Sequence, residues 1–249
     1  MSRFSIPDYD HVSVQEAVAL QQALRKQIMC EDHFNPVQSV AGIDVSVGRQ
    51  DELGHAAVIV LHLPDMKVEE QVVVSAPVRF PYVPGLLGFR EVPIVLEALN
   101  HLNRLPDVLL CDGQGIAHPR RFGLACHVGL LADIPTIGVA KSRLIGHHAP
   151  VAEERGAWVP LYDGNEVIGA VLRSRPGTKP LYVSPGHRVG LTSAIQLVLR
   201  CITNYRLPEP TRLAHQLVSA RTQRALVTEL PAHYHQGTFW DLSDEDNPA

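Results

Sequence analysis

Three acidic residues in this 249-residue chain stand at positions where a charge is costly. Asp44 interrupts the apolar, strand-like run 41–47, and Asp112 ends the apolar run 108–111. Glu91 opens a helix-like stretch upstream of Asp112. Charges in apolar sheet elements destabilise a fold unless something compensates them. Converging carboxylates are usually compensated by a hard divalent cation such as Mg²⁺, so the pattern indicates a metal-dependent phosphodiester enzyme.

Each of these residues also has a simpler interpretation. Glu91 could stabilise a helix N-terminus electrostatically, and Asp112 before Gly113 could be a turn signal. Asp44 could face water from an edge strand, although its apolar neighbours on both sides make this harder to accept. Lys141, after a further apolar run, could be a solvated lysine. The combination of these residues, rather than any one of them, favours a site.

The composition is that of a globular protein with a sizeable core. At 249 residues and 45% hydrophobic, the chain favours one large domain, which we place at residues 1–232. The net charge is −4 and the pI is near 6.3, which argues against a surface that grips nucleic acid everywhere but allows a local basic groove. We expect a disordered acidic tail at 233–249, and a monomer, because no long exposed apolar stripe is left over.

The cysteines favour a reducing compartment. They are widely spaced and form neither a CxxC pair nor a zinc motif: Cys30, Cys111, Cys126 and Cys201. Reduced thiols are typical of a cytoplasmic protein. The sequence shows no signal-peptide h-region and no membrane-length apolar run, so we expect no membrane partner.

The order of predicted elements indicates a fold class. Ser13 and Glu16 form a capping box that opens a helix to about Met29. Strands at 40–47, 56–63 and 67–78 suggest an antiparallel meander. The remaining predicted elements are helices at 90–102 (with Pro93 in its first turn), 119–132, 191–201 and 211–221, and strands at 108–111, 136–139, 167–172 and 181–183. This order predicts an α/β protein of the RNase H-like fold, with a mixed central sheet flanked by helices.

The predicted connections bring the charged residues together. Helix 90–102 should run antiparallel to strand 108–111, which places Glu91 near Asp112. Strand 136–139 follows a helical crossover, so it should run parallel to 108–111 and deliver Lys141 to the same edge. Open α/β sheets bind ligands at this edge. Asp44 joins the group if its strand is central, which the fold requires.

Several segments resemble the signature sequences of the endonuclease V family of deoxyinosine-directed nucleases. They lie at 41–45, 81–91, 112–120, 138–142 and 184–188, and the similarity spans roughly residues 15–225. The blocks Pro-Tyr-Val-Pro-Gly-Leu-Leu and Asp-Gly-Gln-Gly are long and unusual together. Gly88 stands where many relatives carry Ser, which we expect to be harmless.

This resemblance implies a reaction and roles for individual residues. The family uses Mg²⁺ or Mn²⁺ to nick one strand at the second phosphodiester bond 3′ to inosine. Asp44, Glu91 and Asp112 would bind the metal, and Lys141 would contact the reacting phosphate. His215 would lie near the metal. The expected partner is inosine-containing DNA, with RNA as an alternative that the sequence does not decide.

The resemblance also suggests how a base would be recognised. Tyr82 lies between two prolines and suits a wedge that fills the gap left by a flipped base, although it could instead be a core tyrosine. The expected hypoxanthine pocket is lined by Gly85, Leu87, Gly113 and Gly138, because glycines let the backbone approach a planar base. We expect His118, Arg120 and Arg121 at a helix N-terminus, where phosphate binding is favourable. They could instead be ordinary surface residues.

Three rival interpretations remain. The glycines at 113–115 resemble a dinucleotide-binding turn, but His118 occupies the position of the third glycine. A junction resolvase would share the acids without the wedge around Tyr82. A non-catalytic binder of inosine-containing nucleic acid would require the loss of a metal ligand, and none is lost.

Overall fold

The computed structural model describes residues 2–47 and 53–225, with side chains through residue 221. The predicted tail at 233–249 lies outside these residues. In chain order the elements are α1 Val14–Leu24, a 3₁₀ turn Arg25–Gln27, β1 Ser39–Ser46, β2 Leu53–His62, β3 Val68–Pro77, α2 Gly88–Asn100, β4 Val108–Cys111, α3 Leu124–Ala132, β5 Thr136–Ala140, β6 Trp158–Asp163, β7 Glu166–Leu172, β8 Leu181–His187, α4 Leu191–Arg200 and α5 Glu209–Ala225. None of the helices in the described ranges combines the length and apolar character that crossing a bilayer needs.

One eight-stranded mixed sheet organises the chain, in the order β3-β2-β1-β4-β5-β8-β7-β6. Strands β1 to β3 form the predicted antiparallel meander. Strands β4 and β5 run parallel to β1, and β8 turns the sheet antiparallel again. With helices packed against it, this sheet confirms the predicted RNase H-like α/β class.

Strand β1 lies inside the sheet, between β2 and β4, as the expected convergence of the acids requires. Ile43 and Val45 pack on one face with the residues of α2. Because side chains alternate along a strand, Asp44 points to the opposite face, where α5 lies. A Cβ on Gly42 would collide with the backbone at Pro210, so α5 packs directly on β1 beside Asp44.

Two apolar cores cover the two faces of the sheet. On one face Leu110 and Val139 pack with residues of α4 and α5 such as Val198. On the other, Leu109 packs with α2 and α3. Burial on both faces explains why β4 is apolar throughout and β5 is apolar after Thr136.

Two predicted helix boundaries differ from the structure, that of α1 by five residues and that of α2 by two. Helix α1 ends at Leu24 and a 3₁₀ turn continues only to Gln27, short of the predicted Met29. Helix α2 begins at Gly88, earlier than predicted, so Pro93 lies in the second turn rather than the first. Proline lacks the N–H that the second turn normally uses, and the helix continues through it.

The predicted start of α3 was also wrong. The helix begins at Leu124, because the chain from 113 to 123 is a packed loop. A Cβ on Gly123 would collide with the carbonyl of Gln114, which shows that the backbone folds back on itself there. His118 and Arg120 therefore lie in this loop and not at a helix N-terminus.

Strand β6 was not predicted. It carries Pro160, which is uncommon inside strands. As the edge strand of the sheet it tolerates the missing N–H, and it pairs with β7 alone among the named strands.

Candidate active site

The strand register aligns the two aspartates. Ile43 of β1 pairs with Cys111 of β4 in the parallel ladder, so the next residues are Asp44 and Asp112. The N–H of Asp112 donates to the Ile43 carbonyl at 3.0 Å, which extends the pairing by one residue. Both side chains therefore emerge at the carboxyl edge, where this class of sheet binds ligands.

His215 completes a compact donor set. Its Nδ1 lies 2.8 Å from Oδ2 of Asp44. One potential ligand atom from each of Asp44, Asp112 and His215 lies within 4.8 Å of the others. Ligand atoms sit about 2.0–2.6 Å from a hard divalent ion, so this spacing suits one shared ion. The two carboxylates fit Mg²⁺ or Mn²⁺ chemically, whereas the imidazole is a softer ligand than these ions prefer.

Lys141 reaches the same group. It follows β5, whose Gly138 pairs with Cys111 in the parallel ladder. The Lys141 ammonium forms an ion pair with Oδ2 of Asp112. The side chain of Asp112 is 13% exposed and that of Lys141 is 36% exposed. The lysine is therefore the more accessible member of the pair.

Glu91 approaches the acids from α2, on the other side of the sheet edge. Burial, and after it the charges of Asp44 and Asp112, raise its pKa to about 7. The pKa of Asp44 is also raised, first by burial and then by Asp112, while the hydrogen bond to His215 lowers it. Glu91 thus lies within electrostatic range, outside the three-residue cluster. Repulsion of this kind is what a bound cation would relieve.

The segment 81–87, which the sequence predicts to read the base, is held at Gly85. This glycine has φ +81°, and its carbonyl accepts hydrogen bonds from Nη2 of Arg120 at 2.6 Å and Nε2 of Gln21 at 3.1 Å. The His118 ring also bonds the Gly85 backbone. Burial, followed by the charge of Arg120, lowers the pKa of His118 to about 4. His118 is therefore neutral at pH 7 and secures the loop instead of offering a cation.

Tyr82 and Leu87 stand at the surface of this loop, with 39% and 36% of each residue exposed. A wedge must be accessible to a duplex, and this exposure is compatible with the predicted role of Tyr82. The alternative interpretation of Tyr82 as a core tyrosine does not fit, because the residue is exposed.

Two of the four predicted pocket residues, Gly85 and Gly138, have different surroundings. Gly85 contacts Arg120 and His118. Gly138 is buried, and a Cβ there would collide with the turn that contains Gly113 and Gly115. Gly138 therefore lies beneath this turn, which it allows to approach β5, and not at an open rim.

Gln21 of α1 is a supporting residue that the sequence reasoning missed. It accepts a hydrogen bond from Nε of Arg120, and it donates to the carbonyl of Phe122 at 3.2 Å as well as to Gly85. Gln21 is 2% exposed and shares the buried face of α1 with Ala17, four residues earlier. A polar residue at a helical core position was the available signal.

The fold and the site define a class. A mixed RNase H-like sheet with acids at the carboxyl ends of adjacent parallel strands is typical of nucleases that act on phosphodiesters. The sequence profile of Endonuclease V matches residues 22–216. The chain belongs to the Endonuclease V family of nucleases, which confirms the resemblance seen in its motifs.

Individual relatives each cover more than four fifths of the chain. Endonuclease V of Trichormus variabilis is 53% identical over 211 residues, covering 84% of this chain and 96% of the relative. The crystal structure of Endonuclease V from Streptomyces avermitilis has a TM-score of 0.84 at 40% identity, covering 89% of this chain and 98% of that one. Ciona intestinalis Endonuclease V, in complex with a 24mer DNA containing an inosine followed by a ribo-adenosine, has a TM-score of 0.74 at 30% identity, covering 85% and 98%.

Proposed function

We propose that this protein is a divalent-metal-dependent endonuclease that nicks an inosine-containing strand at the second phosphodiester bond 3′ to inosine. The observation that carries the proposal is the cluster of Asp44, Asp112 and His215 within 4.8 Å, with Lys141 paired to Asp112. The complex of the Ciona relative with inosine-containing DNA supports the substrate class. The cleavage position rests on the motif resemblance.

In this proposal Asp44 and Asp112 hold the cation, Glu91 approaches from α2, and His215 contributes from α5. A bound Mg²⁺ or Mn²⁺ would activate water and neutralise charge at the leaving oxygen. Asp44 is 8% exposed and accepts a hydrogen bond from His215 only if the proton of that ring is on Nδ1. With the proton on Nδ1, His215 orients the Asp44 carboxylate from one side.

Lys141 acts on the phosphate. Its ammonium is held at the Asp112 carboxylate and stays accessible from solvent. A fixed positive charge stabilises a transition state that spreads negative charge over phosphate oxygens. The lysine thus has two partners in this account: Asp112 in the protein and the scissile phosphate in the substrate.

The base is recognised by the loop 81–87 together with the turn after β4. Tyr82 would fill the gap left by the flipped base, and Gly85, Leu87 and Gly113 would shape its binding site. Gly138 would act from beneath, by letting the turn that contains Gly113 approach β5. His118 and Arg120 would act through the loop that they secure at Gly85. We place DNA first as substrate and RNA second.

The test uses paired end-labelled DNA and RNA oligonucleotides with one inosine, incubated with and without Mg²⁺. We expect magnesium-dependent nicking, with a product end that maps to the second bond 3′ to inosine, and faster nicking of DNA. Replacement D44A should abolish it. Nicking by D44A in magnesium would refute the assignment, and binding without nicking by the intact protein would favour a non-catalytic binder.

We further propose one domain over residues 1–232, a monomer and a cytoplasmic location. A single sheet takes strands from residue 39 to residue 187, which supports one domain. The four cysteines are free thiols, three of them buried, which supports a reducing compartment. Light scattering during gel filtration tests the monomer, and a dimer mass would contradict it.

A further inference from the structure

The backbone that carries Lys141 lies just past the end of a strand ladder. The last pair between β5 and β8 is Ala140 with Tyr182. Beyond it the neighbouring chain contains Pro180, which has no N–H to donate. The carbonyls of Lys141, Lys179 and Pro180 therefore need donors from outside the sheet.

Arg206, in the segment before α5, supplies these donors. Its Nη2 donates to the carbonyl of Lys141 at 2.8 Å and to that of Pro180 at 2.9 Å. Its Nε donates to the carbonyl of Lys179 at 2.7 Å. One guanidinium thus joins the segment after β5 to the segment before β8, at the point where the ladder between these strands stops.

The arginine is itself anchored at its backbone. Its carbonyl accepts a hydrogen bond from the hydroxyl of Ser174 at 2.7 Å, and Ser174 is fully buried. A planar guanidinium presents five donors in a fixed fork, whereas an ammonium is a compact point charge. Lysine at this position would not reproduce the three bonds in the same geometry.

We propose that Arg206 is a positioning residue for the nuclease reaction: it fixes the backbone of Lys141, and through it the place of the ammonium beside Asp112. This inference rests on the proposed function, in which Lys141 contacts the reacting phosphate. Arg206 touches neither the acids nor the predicted base-reading loop in the hydrogen bonds described for it. Its effect should therefore appear in the rate of the chemical step and not in substrate affinity.

The test replaces Arg206 with lysine and measures nicking of an inosine-containing duplex at saturating Mg²⁺. A displacement of a reacting group by about 1 Å can cost about a hundredfold in rate. We expect R206K to lower kcat by about tenfold to a hundredfold, with KM within about twofold of the wild type. The Mg²⁺ concentration for half-maximal rate should not change.

Arg155, which lies elsewhere in the chain, provides a control that acts on the same segment. Arg155 donates through Nη2 to the carbonyl of Ile202 at 2.9 Å, so it also ties this segment to the fold, but without a bond to Lys141. We expect R155A to keep kcat within about twofold of the wild type. An equal loss in R155A would assign the effect of R206K to general loosening and overturn the inference.

A double-mutant cycle identifies the route of the effect. If Arg206 acts through Lys141, R206K should cause no further loss in a K141A background, since coupled residues are non-additive. A full additional loss there would overturn the inference. R206Q serves as a second substitution, and rates are expressed per folded molecule from the unfolding transition. If the wild type fails to nick, the proposed function fails. If the wild type nicks and K141A is impaired, but R206K and R206Q keep the wild-type rate, then this inference alone fails.

Discussion

The two ends of strand β4 each carry an aspartate, and the two are treated in opposite ways. Asp107 precedes the strand, and its Oδ2 accepts hydrogen bonds from the N–H of Gln38 at 2.9 Å, the N–H of Ser39 at 2.8 Å and the Ser39 hydroxyl at 3.1 Å. Asp112 follows the strand and faces Asp44, another carboxylate. The fold satisfies the first acid with neutral donors and leaves the second beside a like charge.

This difference separates a structural acid from a candidate functional one. A carboxylate bonded by backbone N–H groups is stabilised in its charged form by the fold alone. Two carboxylates at one edge are stabilised only by something that brings positive charge, here Lys141 and a proposed cation. Residue type does not distinguish Asp107 from Asp112, whereas their surroundings do.

The sharpest test replaces each of the two aspartates in turn and compares the effects on nicking and on stability. We expect D112N to lower nicking by at least about a hundredfold, the scale on which the loss of a metal's supporting partners acts, while the protein stays folded. D107A should destabilise by about 1–3 kcal/mol, because buried Ser39 and exposed Gln38 lose the charged acceptor of their hydrogen bonds, and leave the nicking rate per folded molecule unchanged. Urea unfolding and single-turnover assays measure the two quantities. Equal loss of activity in both variants would break the comparison.

His127, a second buried group that is hydrogen-bonded within the fold, predicts how stability depends on pH. His127 is 1% exposed, its Nε2 lies 2.8 Å from the Tyr9 hydroxyl, and burial lowers its pKa to about 3. The unfolded chain therefore binds more protons than the fold between about pH 6.5 and about pH 3, so the free energy of unfolding falls as pH falls through this window. We expect H127Q to remove about 2–4 kcal/mol of this loss.

Urea unfolding between about pH 4 and about pH 7 measures this slope. The matched control is H11Q, because His11 is exposed. The account would be contradicted if the free energy of unfolding of H127Q fell with pH as steeply as that of the wild type. It would also be contradicted if H11Q reduced this slope as much as H127Q does.

Gly42 connects the acidic edge to helix α5. A Cβ there would collide with the backbone at Pro210, so G42A must push α5 away from β1 and His215 away from Asp44. We expect G42A to destabilise by about 1–3 kcal/mol and to weaken Mn²⁺ binding measured by calorimetry. G113A is the control for stability, because its Cβ would meet only the Leu124 side chain at 3.5 Å. Unchanged stability and metal affinity in G42A would show that the packing of α5 does not position His215.

The smallest effect is expected at the exposed tip of the loop that Gly85 anchors. Stacking of an aromatic ring on a base contributes about 1–3 kcal/mol. Y82A should therefore weaken nicking of duplex inosine DNA by about tenfold, and should affect single-stranded inosine DNA less, because no gap needs filling there. Y82F keeps the ring and should resemble the wild type. Equal losses on duplex and single strand would argue against the wedge.

Much of the fold could be predicted from local patterns. Strands β1, β4 and β5 are marked by period-two alternation or by continuous apolar runs, and their directions follow from short and helical connections. The start of α3 could not be predicted, because it depends on Gly115 approaching the distant backbone of Pro185 and on Gly123 folding back onto Gln114. Strand β6 was hidden by Pro160, which only an edge position tolerates.

The residues of the candidate site also divide into those that the sequence could predict and those that it could not. Asp112 and Lys141 could be placed at one edge from strand direction, and Asp44 from the central position that the fold requires of its strand. The structure brings the three together. Nothing in the pattern of α5 marks His215, which came from the motif resemblance. Gln21 is marked only by being a polar residue at a helical core position. Arg206 acts on a carbonyl 65 residues away in sequence, and no local pattern reveals it. The catalytic and binding roles of these residues remain proposals.

The most direct measurement is anomalous diffraction from crystals of the protein grown with Mn²⁺. The account predicts a manganese peak at about 2.0–2.6 Å from carboxylate oxygens of both Asp44 and Asp112, and loss of that peak in D112N. A manganese peak bound elsewhere, or none between these carboxylates at a concentration that supports nicking, would contradict the claim that the two acids share a cation.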